Sequence, residues 1–219
     1  MGSSGPTLAE VTVGDDAAAW RVAGFAVDDG GRCRVGAVGL RLAGRAAGPG
    51  MAGWTLAGVD DRAAAAAGDV DGVPTAYAAG DDAAGPGDHP NGVVLLDHLV
   101  MVSPDLDRTT EALGALGIEA RRTREAGRGR RQRFFRLGEA ILELVGPAEA
   151  AGTGPAHLWG LAFTVVDLDA TVRWLGEHSG GAKEAVQPGR RIVTLHAGDE
   201  VSVPVAFMSG PGGTAQASR

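Results

Sequence analysis

Apolar and polar positions alternate through Leu96-Asp97-His98-Leu99-Val100-Met101-Val102, a strand pattern that places Leu96, His98, Val100 and Val102 on one face. A run of the same kind returns 62 positions later, from Leu158 to Val166, with Gly160 at the place of His98. Each run leads into Asp-Leu-Asp (105–107 and 167–169) and then into a helical stripe. In the first copy the stripe is Leu106, Leu113 and Leu116, with Ser103 as the expected N-cap, Pro104 as the first helical residue and Gly117 as the stop. In the second copy it is Leu168, Val172 and Leu175, within a helix expected over Asp167 to His178. Strands follow both helices. They are Gln132 to Leu137 and Ala140 to Val145 in the first copy, and Arg191 to Ala197 and Ser202 to Met208 in the second. A weaker strand precedes each pair, at Glu119 to Thr123 and at Ala182 to Ala185. The chain thus repeats strand, helix, then two or three strands, and each copy closes on Gly-Pro.

A fainter copy lies at the N-terminus, where Leu8 to Val13 runs toward Trp20, Val22 and Phe25, followed by Cys33 to Val35 and Ala37 to Leu42. Here Glu10 falls at the place of His98, and Arg41 falls near the place of Glu143. Residues 1–61 therefore read as a degenerate half-module. Residues 62–91 read as a flexible linker, because an alanine run followed by Gly, Asp and Pro clusters buries too little apolar surface to offset ordering. Residues 92–211 form the repeated domain, and 212–219 a disordered tail.

Composition narrows the function classes. The 219 residues are 44% hydrophobic with a net charge of −7, which speaks against a general nucleic-acid binder. No stretch reaches the length of a membrane span. The opening Met1-Gly2-Ser3-Ser4-Gly5 lacks the basic and apolar regions of a secretory signal. The single cysteine, Cys33, has no disulfide partner in the chain, so a cytoplasmic setting is expected.

The repeated order resembles the vicinal oxygen chelate superfamily, which includes glyoxalases, bleomycin-resistance proteins and extradiol dioxygenases. The motifs that carry it are Leu96-Asp97-His98-Leu99-Val100, Ile141-Leu142-Glu143-Leu144-Val145-Gly146-Pro147 and the stretch Gly160 to Asp169. The resemblance implies an α+β fold in which paired βαβββ modules form a cup-shaped mixed sheet. In metal-dependent members each module gives a His or Gln from its first strand and a Glu from its last, and the ion acts as a Lewis acid on the substrate. Carried over, the first module supplies His98 and Glu143 as metal ligands or as catalytic acid–base groups. The second supplies Gly160 and either Ala206 or Phe207, none of which ligates through its side chain. Half of the set is absent, and three protein ligands are the usual minimum for a catalytic ion.

Two readings stay open on this basis. The cup acts as a lyase, isomerase or dioxygenase on a small oxygenated metabolite, with a divalent metal (Zn, Fe, Mn or Ni) completed by Glu10 or by a second subunit. Alternatively it binds or sequesters a small molecule with neither metal nor chemistry. Arg131, Arg133 and Arg191 are candidates for anion capture, and Phe135, Trp159, Phe163 and Phe207 for an apolar pocket wall. Exposed strand edges at the module ends point to a homodimer. No nucleic-acid or membrane partner is expected.

Overall fold

A computed structural model describes residues 5–79, 87–196 and 201–211. The C-terminal part contains β6 (Val93–Val102), α3 (Leu106–Gly114), β7 (Ala120–Glu125), β8 (Arg130–Leu137) and β9 (Ala140–Pro147), then β10 (His157–Val165), α4 (Leu168–Leu175), β11 (Lys183–Glu184), β12 (Arg191–Thr194) and β13 (Val205–Ser209). These strands form one eight-stranded sheet in the order β11-β12-β13-β10-β6-β9-β8-β7. The two modules meet where β6 and β10 pair antiparallel, and each central strand pairs parallel with the last strand of its own module, β9 or β13. The fold is α+β, built of paired βαβββ modules.

Both helices start on the repeated Asp-Leu-Asp. Asp105 accepts from the backbone N–H of Asp107 and Arg108, and Asp167 accepts from Asp169 and Ala170. Ser103 is therefore not the N-cap, and Pro104 lies outside the helix. The Ser103 hydroxyl instead donates to Asp105 O and accepts from Asp105 N, closing a tight turn that leads the chain to its cap.

The N-terminal part departs from the half-module expectation. It holds β1 (Thr7–Val13), α1 (Ala17–Val22), β2 (Arg32–Val35) and β3 (Val38–Leu42), and then β4 (Met51–Ala57), α2 (Asp61–Ala67) and β5 (Thr75–Ala78). Its five-stranded sheet runs β2-β3-β1-β4-β5, with β1 antiparallel to β4, β1 parallel to β3 and β4 parallel to β5. That is the pairing scheme of the C-terminal sheet, so two shortened modules are present rather than one. The second of them occupies residues read from sequence as linker. An alanine run is a strong helix former once capped, and Asp60 caps α2 by accepting from Arg62 N and Ala63 N. Residues 80–86 of that linker and the tail at 212–219 lie outside the described residues.

One contiguous apolar core joins the two sheets. Trp20 of α1 and Phe25 reach the C-terminal sheet, with ring centroids 4.8 Å apart, and Phe25 lies 5.1 Å from Phe163, which in turn neighbours Phe207. Asp71, in a left-handed turn, clasps α3 by accepting from Arg108 Nε at 2.7 Å and from the Thr109 hydroxyl. Among the described residues no helix is long and apolar enough to cross a membrane.

His89 fastens the chain between the two sheets. Its Nδ1 accepts from Ala26 N at 3.0 Å, so its Nε2 carries the proton and donates to Arg34 O at 2.9 Å. Burial lowers its pKa, against smaller opposing effects of the Arg34 carbonyl and Asp88. A base whose folded pKa is depressed stabilises the fold fully above the unfolded value of about 6.5, and that contribution is lost as pH falls below it. Acidification from pH 7.5 to 5.5 is therefore expected to lower the Tm of the wild type more than that of a His89→Asn variant. Parallel falls in the two proteins would refute this.

Candidate active site

The site begins with an irregularity in the central strands. Across the β6–β10 ladder His98 pairs with Ala162 and Leu96 with Phe163, which leaves Asp97 as an extra residue on β6. The matching extra residue on β10 is Trp159, between Leu158 and Gly160. The N-terminal ladder repeats both, at Ala9 before Glu10 and at Ala52 before Gly53. A bulge re-aims the residues around it. Leu96 is accordingly buried in the core beneath the helices, while His98 faces the concave side. The simple alternation expected from sequence, which put them on one face, is broken at Asp97.

The bulge also brings Asp97 beside His98. Asp97 Oδ1 lies 3.0 Å from His98 Nδ1, and Asp97 Oδ2 accepts from Arg190 Nη2 at 2.6 Å and from the Thr164 hydroxyl at 2.8 Å. Burial on its own would raise the Asp97 carboxyl, but the hydrogen bonds from His98, Arg190 and Thr164 and the Arg190 charge outweigh it and hold it well below the usual range. The carboxylate thus fixes a proton on Nδ1 and leaves the Nε2 lone pair facing the cup. Nε2 lies 3.7 Å from Glu143 Oε2. Glu143 accepts from Gln132 Nε2 through its other oxygen, and Arg124 donates to the Gln132 carbonyl oxygen. Burial pushes Glu143 above the usual carboxylate range, partly offset by the charges of His98 and Arg124.

Of these groups His98, Gln132 and Glu143 line a cleft of about 940 Å³ on the concave face, walled largely by apolar residues such as Val100, Val102, Val145, Trp159 and Ile192. The N-terminal part contributes Arg45, and the segment before β13 contributes Ser202 and Pro204. Cys33 takes no part. It is buried and its thiol is pushed up to about 12 by burial and by Asp28, which leaves it without nucleophilic character.

The structure sorts the residues singled out from sequence. His98, Glu143 and Trp159 line the cleft together. Phe135, Phe163 and Phe207 are instead core residues, each at most 1% exposed. Arg131 pairs with Glu125, Arg133 with Asp107 at the start of α3, and Arg191 with Asp169 at the start of α4. The expectation for β8 was one residue out of phase. Arg130 and Gln132 face the cup, and their neighbours face the other side. Ala206, not Phe207, holds the place of Glu143, since Ala206 pairs with Ala162 as Glu143 pairs with Val100. Sequence reasoning missed Asp97, Gln132 and Arg45, and it read Arg190 only as matching the arginines of the first copy, not as the partner of Asp97. The repeat held a clue only for Asp97, whose counterpart Trp159 breaks the alternation at the same step.

Gly160 is more than a missing ligand. A Cβ at this position would lie 3.1 Å from Pro204 O, the carbonyl that accepts from Leu161 N at 2.9 Å. Gly53 stands in the same relation to Pro74 O, at 2.6 Å, and that carbonyl accepts from Trp54 N. In both sheets the second module thus puts a proline carbonyl against the glycine that replaces a donor.

Comparison with known proteins fits this geometry. Residues 97–194 match the Glyoxalase/Bleomycin resistance protein/Dioxygenase superfamily. This segment is a glyoxalase-superfamily domain. Over the whole chain, the fold is similar to that of a mutant 4-hydroxymandelate synthase from Streptomyces coelicolor, with a TM-score of 0.61, 19% identity and coverage of 95% of this chain and 93% of that one. Methylmalonyl-CoA epimerase from Mycobacterium tuberculosis matches 54% of this chain and 89% of its own, at 23% identity and a TM-score of 0.44. No curated protein matches the sequence.

The glyoxalase-superfamily domain does not assemble the metal ligand set that the resemblance implies. Its four ligand positions carry His98, Glu143, Gly160 and Ala206, and one Glu143 oxygen is taken by Gln132. Among the described residues no group of three or more His, Cys, Asp or Glu is placed to hold an ion. In the N-terminal sheet the corresponding positions carry Glu10, Arg41, Gly53 and Ala76, and Glu10 is paired with Arg32. Glu10 therefore does not complete the half-site.

Proposed function

We propose that the cup of the glyoxalase-superfamily domain binds a small oxygenated metabolite and moves a proton at a carbon next to its carbonyl group, without a metal ion. The observation that carries this reading is the Asp97–His98–Glu143 array. An imidazole held in one tautomer by a carboxylate presents its lone pair to an apolar cleft, with a carboxyl of raised pKa 3.7 Å away. His98 Nε2 takes the proton from the carbon, the C–H electron pair moves to the carbonyl oxygen, and the Glu143 carboxyl protonates that oxygen. Reversal returns the proton to the same or the opposite face. The apolar walls keep water from competing for the base.

The test is solvent exchange. A panel of small hydroxyketones, 2-oxo acids and their esters is incubated with the protein in D2O containing EDTA, and deuterium uptake at carbon is read by proton NMR. The expected result is exchange of at least one compound, reduced by about 10² or more in His98→Gln. No exchange across the panel, or exchange unchanged in His98→Gln, would overturn the proton-transfer reading. Saturable binding without exchange would favour sequestration, the reading to which Gly160 and Ala206 lend support by leaving the second module without a ligand at either of its two family positions.

A further inference from the structure

We infer that Gln132, locked in one orientation by Arg124, is a positioning residue that confines the Glu143 proton to Oε2, the oxygen facing His98. This rests on the reading of Glu143 as the proton donor of the cup and adds what aims it.

The order of the strands sets up the relay. β7, β8 and β9 are neighbours in the sheet, and in the β7–β8 ladder Arg124 stands directly opposite Gln132. In the β8–β9 ladder Phe134 stands opposite Glu143, which leaves Gln132 diagonal to Glu143 and within reach of it. Arg124 Nε and Nη2 both donate to the Gln132 carbonyl oxygen, and the Arg124 guanidinium lies 5.9 Å from the centroid of the Phe134 ring, two residues along the same strand face.

Donor and acceptor chemistry then fixes each proton along this line. A guanidinium only donates, so the oxygen of the Gln132 amide is the end that faces Arg124, and the nitrogen is the end that faces Glu143. That nitrogen donates to Glu143 Oε1. A carboxyl hydrogen on Oε1 would point at an N–H, so when Glu143 is protonated its hydrogen sits on Oε2, 3.7 Å from His98 Nε2. Across the cup Arg190, Asp97 and His98 form a line of the same kind, which puts a proton on Nδ1 and a lone pair on Nε2. The lone pair of the base and the hydrogen of the acid therefore face the same gap.

The relay also acts on the transfer itself. When the Oε2–H bond breaks, its proton passes to the ligand oxygen and its electron pair stays on Glu143. The Gln132 N–H then meets a full carboxylate, and a hydrogen bond to a charged acceptor is about twice as strong as one to a neutral acceptor. Gln132 thus contributes more once the proton has left than before, and a contact of that kind raises kcat while leaving KM unchanged.

Nitrogen-15 NMR of the resting protein and kinetics of deuterium exchange test this together. The Gln132 side-chain amide is assigned by its loss in Gln132→Leu. One of its two protons is expected downfield of free glutamine, moving to the free value in Glu143→Leu and in Arg124→Met and keeping its place in Arg124→Lys. In the exchange assay kcat is expected to fall about tenfold or more in Gln132→Leu with KM changed by less than about twofold, to fall less in Arg124→Met, and to recover in Arg124→Lys. An amide signal that is the same in the wild type, Glu143→Leu and Arg124→Met would overturn the inference, as would an unchanged kcat in Gln132→Leu. The expected amide signature in a protein that exchanges none of the panel would overturn the proton-transfer reading alone.

Discussion

Replacing Arg190 with methionine is expected to cost about 3 kcal/mol of folding stability, read as a lowered midpoint in urea denaturation. The side chain is nearly enclosed, donates to Asp97 Oδ2, Thr164 Oγ1 and Ser209 O, and among the described residues is the only arginine or lysine paired with Asp97. Methionine fills much of the same volume, so the loss comes from leaving the Asp97 carboxylate without its counter-charge in a poorly solvated place. Breaking one half of such a pair is far more damaging than replacing both halves. The double variant Arg190→Met, Asp97→Leu should therefore regain much of the loss in stability while losing the orientation of His98. A cost below about 1 kcal/mol for the single variant would mean that the pair is screened like a surface ion pair and that Asp97 does not depend on it. The experiment also separates two roles of Asp97, since the double variant is expected to fold and yet lack the proton exchange that His98 supports.

The repeat was legible because it is written in residue types that physics constrains locally. Asp105 and Asp167 had to be acceptors to start α3 and α4, and Leu106, Leu113, Leu168 and Leu175 had to recur at helical spacing to reach the core. The consequences of a one-residue insertion were not legible. The broken alternation at Trp159 hints at an irregularity, but it does not show that the bulge brings Asp97, and not Leu96, beside His98. The arginine strand failed for a related reason. Arg130, Arg131, Gln132 and Arg133 carry polar side chains on both faces, so no hydrophobic alternation fixed which of them looks into the cup. The second N-terminal module was hidden by its brevity, since α2 has seven residues and β5 four, and the two hold their places by pairing and packing more than by their own pattern. Arg45 lies 53 residues before His98 and enters the site only through tertiary packing.

Asp15→Ala is expected to destabilise the protein by about 3 kcal/mol and to loosen one wall of the cup at the same time. Asp15 is 1% exposed, and its carboxylate accepts from Trp20 Nε1 at 3.0 Å and from Ser202 N at 3.0 and 3.1 Å. Truncation strands the fully buried Trp20 indole N–H, worth roughly 1–3 kcal/mol when unmade, and frees the half-buried Ser202 amide. Asp15→Asn keeps one acceptor oxygen and should cost less than half as much. The effect is not confined to the global fold. Ser202 is tied to the N-terminal sheet by Asp15 and by Gly50 N, and two residues later Pro204 O accepts from Leu161 N beside Gly160. Amide hydrogen exchange at Leu161 should therefore accelerate in Asp15→Ala under conditions where the protein remains folded, while that at Leu99, on the neighbouring strand, stays protected. Equal acceleration at both amides would mean that only global stability had changed. Unchanged Leu161 exchange would show that the segment from Val201 to Pro204 keeps its place without the N-terminal carboxylate. Selective acceleration at Leu161 would make the N-terminal sheet a structural part of the cup, because the carboxylate that seats Trp20 in the shared core is also the one that sets the wall facing His98.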